Sequence, residues 1–173
     1  VRVGRYVDFA MPGFAPGLAG GMRTRLENAT VESAHPTELA PTVLTPLRER
    51  PTEALMQVLG HGSGLTPFGD DVVCGLMATL LAADDPCAEE LSTQAVALAP
   101  TRTTSLSATL LHRAAQGDVL PAFADVVAAL INQPDHAGEK IARLLTVGHT
   151  SGAGMLLGLH LALDHIITRS CCP

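Results

Sequence analysis

The 173-residue chain contains no tryptophan, and only 3% of its residues are aromatic. Surfaces that stack bases or sugars depend on aromatic side chains, so the composition argues against both kinds of ligand. Charged residues make up 16% of the chain, and its formal net charge of −6 comes without any run of Lys or Arg. Because a phosphate backbone binds basic patches, we expect no nucleic acid among the partners.

Long hydrophobic runs and paired cysteines are also missing. The longest apolar stretches, near 72–83 and 153–163, are shorter than the ~20 residues that cross a bilayer, so we expect no membrane association. The chain opens without the apolar core of a signal peptide. Its four cysteines show no CxxC spacing, which disfavours a zinc site built on thiolates, and free thiols suit a reducing compartment. These features predict a cytoplasmic protein.

Hydrophobic residues make up 47% of the chain, enough to bury the core of one domain over residues 1–173. Residues 1–50 contain short β-leaning pieces punctuated by prolines and glycines, and they predict two or three strands or extended segments. Residues 51–170 have a helical pattern. The sequence therefore predicts an α+β fold that is predominantly α, with about six helices around a central apolar helix and a short β-leaning N-terminal region.

Capping and proline signals give the predicted helix bounds. Thr52 is expected to cap a first short helix that ends at Gly60, and Pro100 is expected to end a later one. The longer predicted helices are Asp71 to Ala83, Pro86 to Ala99, Thr103 to Gln116, Pro121 to Asn132, Pro134 to Thr146 and Gly152 to Thr168.

The segment from His61 to Asp71, HGSGLTPFGDD, precedes the central apolar helix. A glycine-rich turn that enters a helix directs unpaired N–H groups at one point, which suits an anion. Asp70 is expected to be the N-cap of that helix, with Asp71 in its first turn. Both carboxylates are candidates for catalysis, or for binding Mg²⁺ through water. The predicted substrate-binding residues of this loop are His61, Gly62, Ser63, Gly64, Thr66 and Gly69.

Two further polar segments precede helices. The hydroxyl groups of Thr103, Thr104 and Ser105 are expected to cap a helix start, and with Arg102 beside them they form a candidate fork for phosphate or carboxylate. In the segment 148–152, His149 is a candidate acid, base or oxyanion donor, and Thr150 and Ser151 are candidate substrate ligands. We expect all three loops to converge on one pocket that binds a phosphate or carboxylate small molecule.

In this order, the three segments resemble the AllH-like family, long classed as a domain of unknown function. The family pattern G-x-G-L-T-P-x-G-D-D corresponds to Gly62–Asp71, the Thr/Ser-rich helix to Thr101–Gly117, and G-H-[TS]-S-G to Gly148–Gly152. The resemblance covers about residues 55–165. Where the family commonly has an aspartate after the last segment, this chain has Gly154. Family members are generally longer, so we expect this chain to be a short form or a fragment.

The resemblance implies a subunit of oxamate carbamoyltransferase, which acts in anaerobic allantoin breakdown. That enzyme forms oxamate and carbamoyl phosphate from oxalurate and phosphate, and its other subunits are AllG-like and FdrA-like proteins. Two alternatives stay open from the residues themselves. One is a non-catalytic subunit that binds a metabolite or serves as a scaffold, and the other is a Mg²⁺-dependent hydrolase or phosphotransferase. The residues identify no definite cofactor, and Mg²⁺ is the candidate that they suggest.

Overall fold

The computed structural model describes residues 10–30 and 38–170, and this part of the chain is predominantly helical. Short 3₁₀ turns at Pro16–Leu18 and Pro134–His136 precede two of its helices. The α-helices are α1 (Ala19–Thr30), α2 (Pro41–Glu49), α3 (Pro51–Val58), α4 (Phe68–Ala82), α5 (Ala88–Arg102), α6 (Ser105–Ala114), α7 (Pro121–Asn132), α8 (Ala137–Leu145) and α9 (Ser151–Ser170).

The predicted β-leaning region is wrong wherever the structure describes it. Helices α1 and α2 occupy most of residues 10–30 and 38–50, and the only β feature among the described residues is a single bridge between Ala10 and Asp118. Pro41 begins a helix instead of separating two strands, because its missing N–H and restricted φ suit a first helical position. The remaining β-leaning residues, 1–9 and 31–37, lie outside the described part of the chain.

The core forms around two helices and not around one. Helix α4 is buried continuously from Phe68 to Leu80, as its uniformly apolar sequence predicts. Helix α9 lies along α4 and makes its most extensive contact with it. Helices α3, α5 and α6 contact α4, whereas α1, α2, α7 and α8 contact α9. The predicted arrangement around a single central helix is therefore replaced by two central helices with the shorter ones on either side.

Glycines let the backbones of α4 and α9 approach each other closely. A Cβ atom on Gly75 would lie 2.3 Å from the carbonyl oxygen of Met155, and one on Gly158 would lie 2.2 Å from the carbonyl oxygen of Val72. Real Cβ atoms do not approach an oxygen so closely, so alanine at either position would force the helices apart. The small residues of this pair thus determine how closely α4 and α9 pack.

Several predicted helix ends need correction. Helix α7 has the predicted bounds, but α5 continues through Pro100 to Arg102. An interior proline costs a helix stability without necessarily ending it. Helix α3 begins at Pro51, so Thr52 is not its cap. The single helix predicted from Pro134 is a 3₁₀ turn followed by α8. Among the described residues, no helix has the length and apolar character needed to span a bilayer.

Candidate functional site

The first turn of α4 begins earlier than the sequence predicts. Pro67 takes the N-cap position, and its carbonyl oxygen accepts hydrogen bonds from the backbone N–H groups of Asp70 and Asp71, at 2.9 and 3.3 Å. Both aspartates therefore lie inside the first turn, and the prediction that Asp70 is the N-cap is wrong. Pro67 can replace it because its extended backbone directs the carbonyl into the helix without a capping side chain.

Asp70 is completely buried and joins three parts of the chain. Its Oδ1 accepts a hydrogen bond from the backbone N–H of Gly60, at 2.7 Å. Its Oδ2 accepts hydrogen bonds from the hydroxyl groups of Thr103 and Ser107, the latter at 2.7 Å. Donors after α3, before α6 and within α6 thus converge on one carboxylate. Hydrogen bonds to a charged group are the strong ones, so Asp70 holds these segments against α4.

The sequence analysis missed Ser107, which is 1% exposed and contacts Asp70. No local signal identifies it, because a capping box has Glu or Gln three residues after the cap, where this chain has Ser107. The Thr104 hydroxyl accepts a hydrogen bond from the Ser107 N–H at 3.1 Å and donates one to the carbonyl oxygen of Leu65 at 2.5 Å. The expectation that a hydroxyl caps this helix is therefore confirmed at Thr104, which also holds the glycine loop against α6.

Asp71 has a different environment, although it is the next residue. It is 2% exposed, and its Oδ2 is buried without a hydrogen-bond partner among the described residues. Burial is the largest cause that raises the pKa of Asp71, to about 6; the hydroxyls of Ser151 and Thr66 lower this pKa, and the neighbouring Asp70 charge raises it. A buried polar atom without a partner is rare, and a carboxyl group that titrates near neutrality is typical of functional sites.

Hydroxyl groups of two predicted loops meet beside Asp71. Thr66 Oγ1 and Ser151 Oγ lie 3.0 Å apart, and either atom can donate the hydrogen bond between them. This contact joins the glycine loop to the start of α9, whereas the contact of Thr103 with Asp70 joins the residues before α6 to α4. The structure thus brings Thr66, Asp70, Asp71, Thr103 and Ser151 together around the N-terminus of α4.

The exposed glycine loop does not offer a full set of free N–H groups to an anion. Gly62 and Gly64 have φ angles of +112° and +94°, a backbone conformation that favours glycine. Gly69 is buried instead, and a Cβ atom there would lie 2.1 Å from the carbonyl oxygen of Val58. Its N–H donates to the carbonyl of His61 at 2.8 Å. With Asp70 and Asp71 bonded to Pro67, three N–H groups of this helix start are already occupied.

The remaining predicted site residues lie at the surface. His61 and Ser63 are exposed, and the His61 ring nitrogen Nε2 lies 3.3 Å from the backbone oxygen of Glu38. Ser105 is also exposed, and Thr150 is half-buried at the start of α9.

Arg102 and His149 also lie outside this cluster. Arg102 is exposed in the last turn of α5, and His149 is exposed beside Gly148, which has a φ of +62°. Within residues 10–30 and 38–170, neither side chain has a hydrogen-bond or ion-pair partner. Both side chains are therefore accessible to solvent.

A pocket of about 320 Å³ opens elsewhere, between α4, α6, α7 and α9. Its lining is mostly apolar and includes Cys74, Phe123 and Met155, with the charged side chains of Arg113 and Asp118 as well. Arg113 and Asp118 form an ion pair of 3.4 Å. None of the predicted site residues lines this pocket, so the polar cluster at Asp71 and this apolar pocket are separate features.

Comparison with known proteins identifies the family. Residues 58–163, more than half of the chain, match the family described as oxamate carbamoyltransferase subunit AllH. No curated protein and no solved structure matches the chain. The matched range includes all three predicted loops and the partners of the Asp70 and Asp71 side chains, namely Gly60, Thr66, Thr103, Ser107 and Ser151. The chain therefore belongs to the AllH family.

Proposed function

We propose that this chain is a subunit of an oxamate carbamoyltransferase-like enzyme, and that Asp71 carries a proton in its reaction. The observation behind the proposal is the buried Asp71 carboxylate, whose Oδ2 lacks a partner and whose pKa is raised to about 6 beside the hydroxyls of Thr66 and Ser151. A group that titrates near neutrality can both accept and donate a proton at physiological pH.

The reaction needs one proton to move between two substrates. An oxygen of hydrogen phosphate attacks the ureido carbon of oxalurate, and the carbon–nitrogen bond to the oxamate portion then breaks. The departing amide nitrogen must gain a proton, and the phosphate must lose one. Asp71 can take the proton from the phosphate and pass it to the nitrogen, so that atoms and charge balance without any other reactant.

The other site residues have supporting roles in this proposal. The hydroxyls of Thr66 and Ser151 orient the substrate at Asp71, and His149 donates a hydrogen bond to the oxygen that gains charge at the tetrahedral carbon. Arg102 binds the phosphate, since a guanidinium group pairs with its oxygens in a bidentate manner. Asp70 is a positioning residue, because its oxygens already accept three hydrogen bonds.

Exposed hydrophobic side chains beside the site support a complex with AllG-like and FdrA-like subunits. Leu65, at the tip of the glycine loop, is 72% exposed, and Leu106, in the first turn of α6, is 46% exposed. The hydrogen bond from Thr104 to Leu65 brings these two segments together. Exposed apolar patches are typical of protein contacts, so a partner subunit that covers them would also exclude water from the site.

A Mg²⁺-dependent hydrolase is less well supported. A two-carboxylate magnesium site would need Asp70 and Asp71 to share the ion, but Asp70 has its oxygens occupied by Gly60, Thr103 and Ser107. In the described part of the chain, Asp71 belongs to no cluster of three potential metal ligands. The non-catalytic subunit remains the competing interpretation, and a kinetic experiment distinguishes the two.

The test is the synthesis of carbamoyl phosphate from oxalurate and phosphate by the chain reconstituted with its AllG-like and FdrA-like partners. The variant Asp71→Asn removes the proton carrier at constant volume, so we expect kcat to fall by about 10²- to 10⁴-fold. The control Asp118→Asn changes a carboxylate outside the site and should leave kcat unchanged. Full activity of Asp71→Asn would instead support a non-catalytic subunit.

A further inference from the structure

A second group of chemically reactive side chains lies at the opposite end of α4 and α9. Asp85 and Cys87 follow the C-terminus of α4, and His165 lies near the end of α9. Cys87 Sγ is 3.6 Å from His165 Nε2, and that nitrogen is 3.8 Å from Asp85 Oδ1. All three potential ligand atoms lie within 4.8 Å of one another.

We propose that Asp85, Cys87 and His165 bind a divalent transition-metal ion of the zinc type, with a fourth coordination position open to water. A tetrahedral zinc ion with ordinary bond lengths separates a sulfur from a nitrogen ligand by about 3.5 Å, and a nitrogen from an oxygen ligand by about 3.3 Å. The observed 3.6 and 3.8 Å lie within about 0.5 Å of these spacings. Sulfur, imidazole and carboxylate ligands together suit zinc or cobalt better than Mg²⁺.

The surroundings orient two of the ligands in advance. His165 is 5% exposed, and its Nδ1 lies 2.7 Å from the backbone carbonyl oxygen of Arg48. Because that carbonyl can only accept, Nδ1 carries the proton and Nε2 presents its lone pair to Cys87 and Asp85. A hydrogen bond of this kind on the other ring nitrogen is typical of histidine that binds metal. Asp85 Oδ1 is likewise held by the backbone N–H of Cys87, at 3.0 Å.

The charges balance when an ion binds. Cys87 is a free cysteine, and its thiol carries the proton that a bound ion would displace. Metal binding forms the bond to sulfur and releases that proton to solvent. Thiolate and carboxylate then neutralise the divalent ion, while Arg169, which is now 3.4 Å from Asp85 Oδ1, competes with the ion for that oxygen.

This proposal is independent of the proposed function. Asp71 lies in the first turn of α4, and Asp85 follows the end of that helix at Ala82; the 11 helical steps between residues 71 and 82 alone span about 16 Å at a rise of about 1.5 Å per residue. The sequence has no CxxC spacing, so no local zinc pattern marks this site. Two ligands here are close in the chain, and the third comes from a helix almost 80 residues later.

The test is a titration of the full chain with CoCl₂, read as the visible and near-ultraviolet absorption of four-coordinate cobalt bonded to a thiolate. We expect the wild-type chain to show this spectrum and ZnCl₂, but not MgCl₂, to remove it. Cys87→Ser keeps the size of the side chain and should weaken cobalt binding at least about 100-fold. Absence of the spectrum in the wild-type chain, or an unchanged spectrum in Cys87→Ser, would overturn the proposal.

Three controls make the assignment specific. The double variant Cys171→Ser/Cys172→Ser removes the cysteines at the end of the sequence and should retain the spectrum; its loss would assign the thiolate ligand elsewhere and contradict the proposal. Arg169→Gln removes the competing guanidinium and should tighten cobalt binding several-fold. Thr66→Val, at the Asp71 cluster, should leave cobalt binding unchanged, so failure of the proposed enzymatic function is distinguishable from failure of the metal site.

Discussion

The two sides of the first turn of α4 make opposite use of adjacent carboxylates. On the side toward α3 and α6, Asp70 accepts hydrogen bonds from Gly60, Thr103 and Ser107. On the side toward α9, Asp71 is just as deeply buried, yet its Oδ2 has no partner among the described residues. Asp70 thus stabilises the fold through its hydrogen bonds, whereas Asp71 keeps a carboxylate oxygen that has no partner among the described residues.

The difference follows from the helical geometry and from the donors on each side. Consecutive residues of a helix point about 100° apart, so Asp70 and Asp71 contact different neighbours. The loops beside α3 and α6 supply N–H and hydroxyl donors. Helix α9 presents Gly154, where an added Cβ atom would lie 2.8 Å from the Cβ atom of Asp71, and it has no polar side chain at that position. Burial outweighs the hydroxyls of Ser151 and Thr66, and it disfavours the charged form of the Asp71 carboxyl group.

The largest effect is expected when Asp70 is removed. Asp70→Ala removes three hydrogen bonds to a charged group, one from the buried Ser107 and two from the half-buried Gly60 and Thr103, so we expect the free energy of unfolding to fall by about 3–5 kcal/mol. Urea denaturation measures this change. Asp70→Asn retains an acceptor for Gly60 and should be destabilised less than Asp70→Ala. A loss below about 1 kcal/mol in Asp70→Ala would show that the network does not hold α4 in place.

Asp71→Asn should raise the free energy of unfolding, and the size of this gain should depend on pH. The folded-state pKa of about 6 lies above the unfolded value, so the ionised form of Asp71 costs stability, and this cost grows as pH rises from about 4 to about 6. At pH 7 the variant should therefore be more stable than the wild type by about 1–3 kcal/mol. Melting curves at pH 4 and pH 7 test this, and at pH 4 the two proteins should be nearly equal. A less stable variant at pH 7 would show that Asp71 has partners that stabilise its charge.

The contact between Asp71 and α9 is tested by Gly154→Ala. The added methyl group must displace Asp71 or separate the helices, so we expect a loss of about 1–3 kcal/mol in unfolding free energy. Gly138→Ala in α8 is the matched control, because a Cβ atom there has no neighbour within 4 Å. That control should gain about 0.4–1 kcal/mol from the reduced freedom of the unfolded chain. Equal effects of the two substitutions would contradict the close contact at Gly154.

The long apolar helices were the most predictable part of the fold. The uninterrupted apolar run after Asp71 predicts a buried helix, and Pro121 marks the start of α7 correctly. The β-leaning interpretation failed over residues 10–30 and 38–50, because prolines there do not act as turn signals. In the structure, Pro16 and Pro41 each begin a helical segment instead.

The segment that forms the candidate site was predictable from the sequence, but the role of each residue in it was not. The composition of residues 61–71 indicated two carboxylates and a hydroxyl at a helix start, and the resemblance named the family that the comparison confirms. Ser107 was missed because its partner is 37 residues away. The grouping of Asp85, Cys87 and His165 was missed for the same reason, since no local spacing joins α9 to the loop after α4.

The sequence by itself determined the family, the buried helix α4 and the presence of carboxylates at its start, because these depend on local composition and helical periodicity. Only the tertiary structure decided which aspartate is satisfied and which is not. Hydrogen-bond donors for a buried carboxylate come from whichever segments the fold brings within about 3 Å. For Asp70 these are Gly60, Thr103 and Ser107, whereas Asp71 faces the glycine-lined side of α9, where no donor reaches its Oδ2 from a described residue.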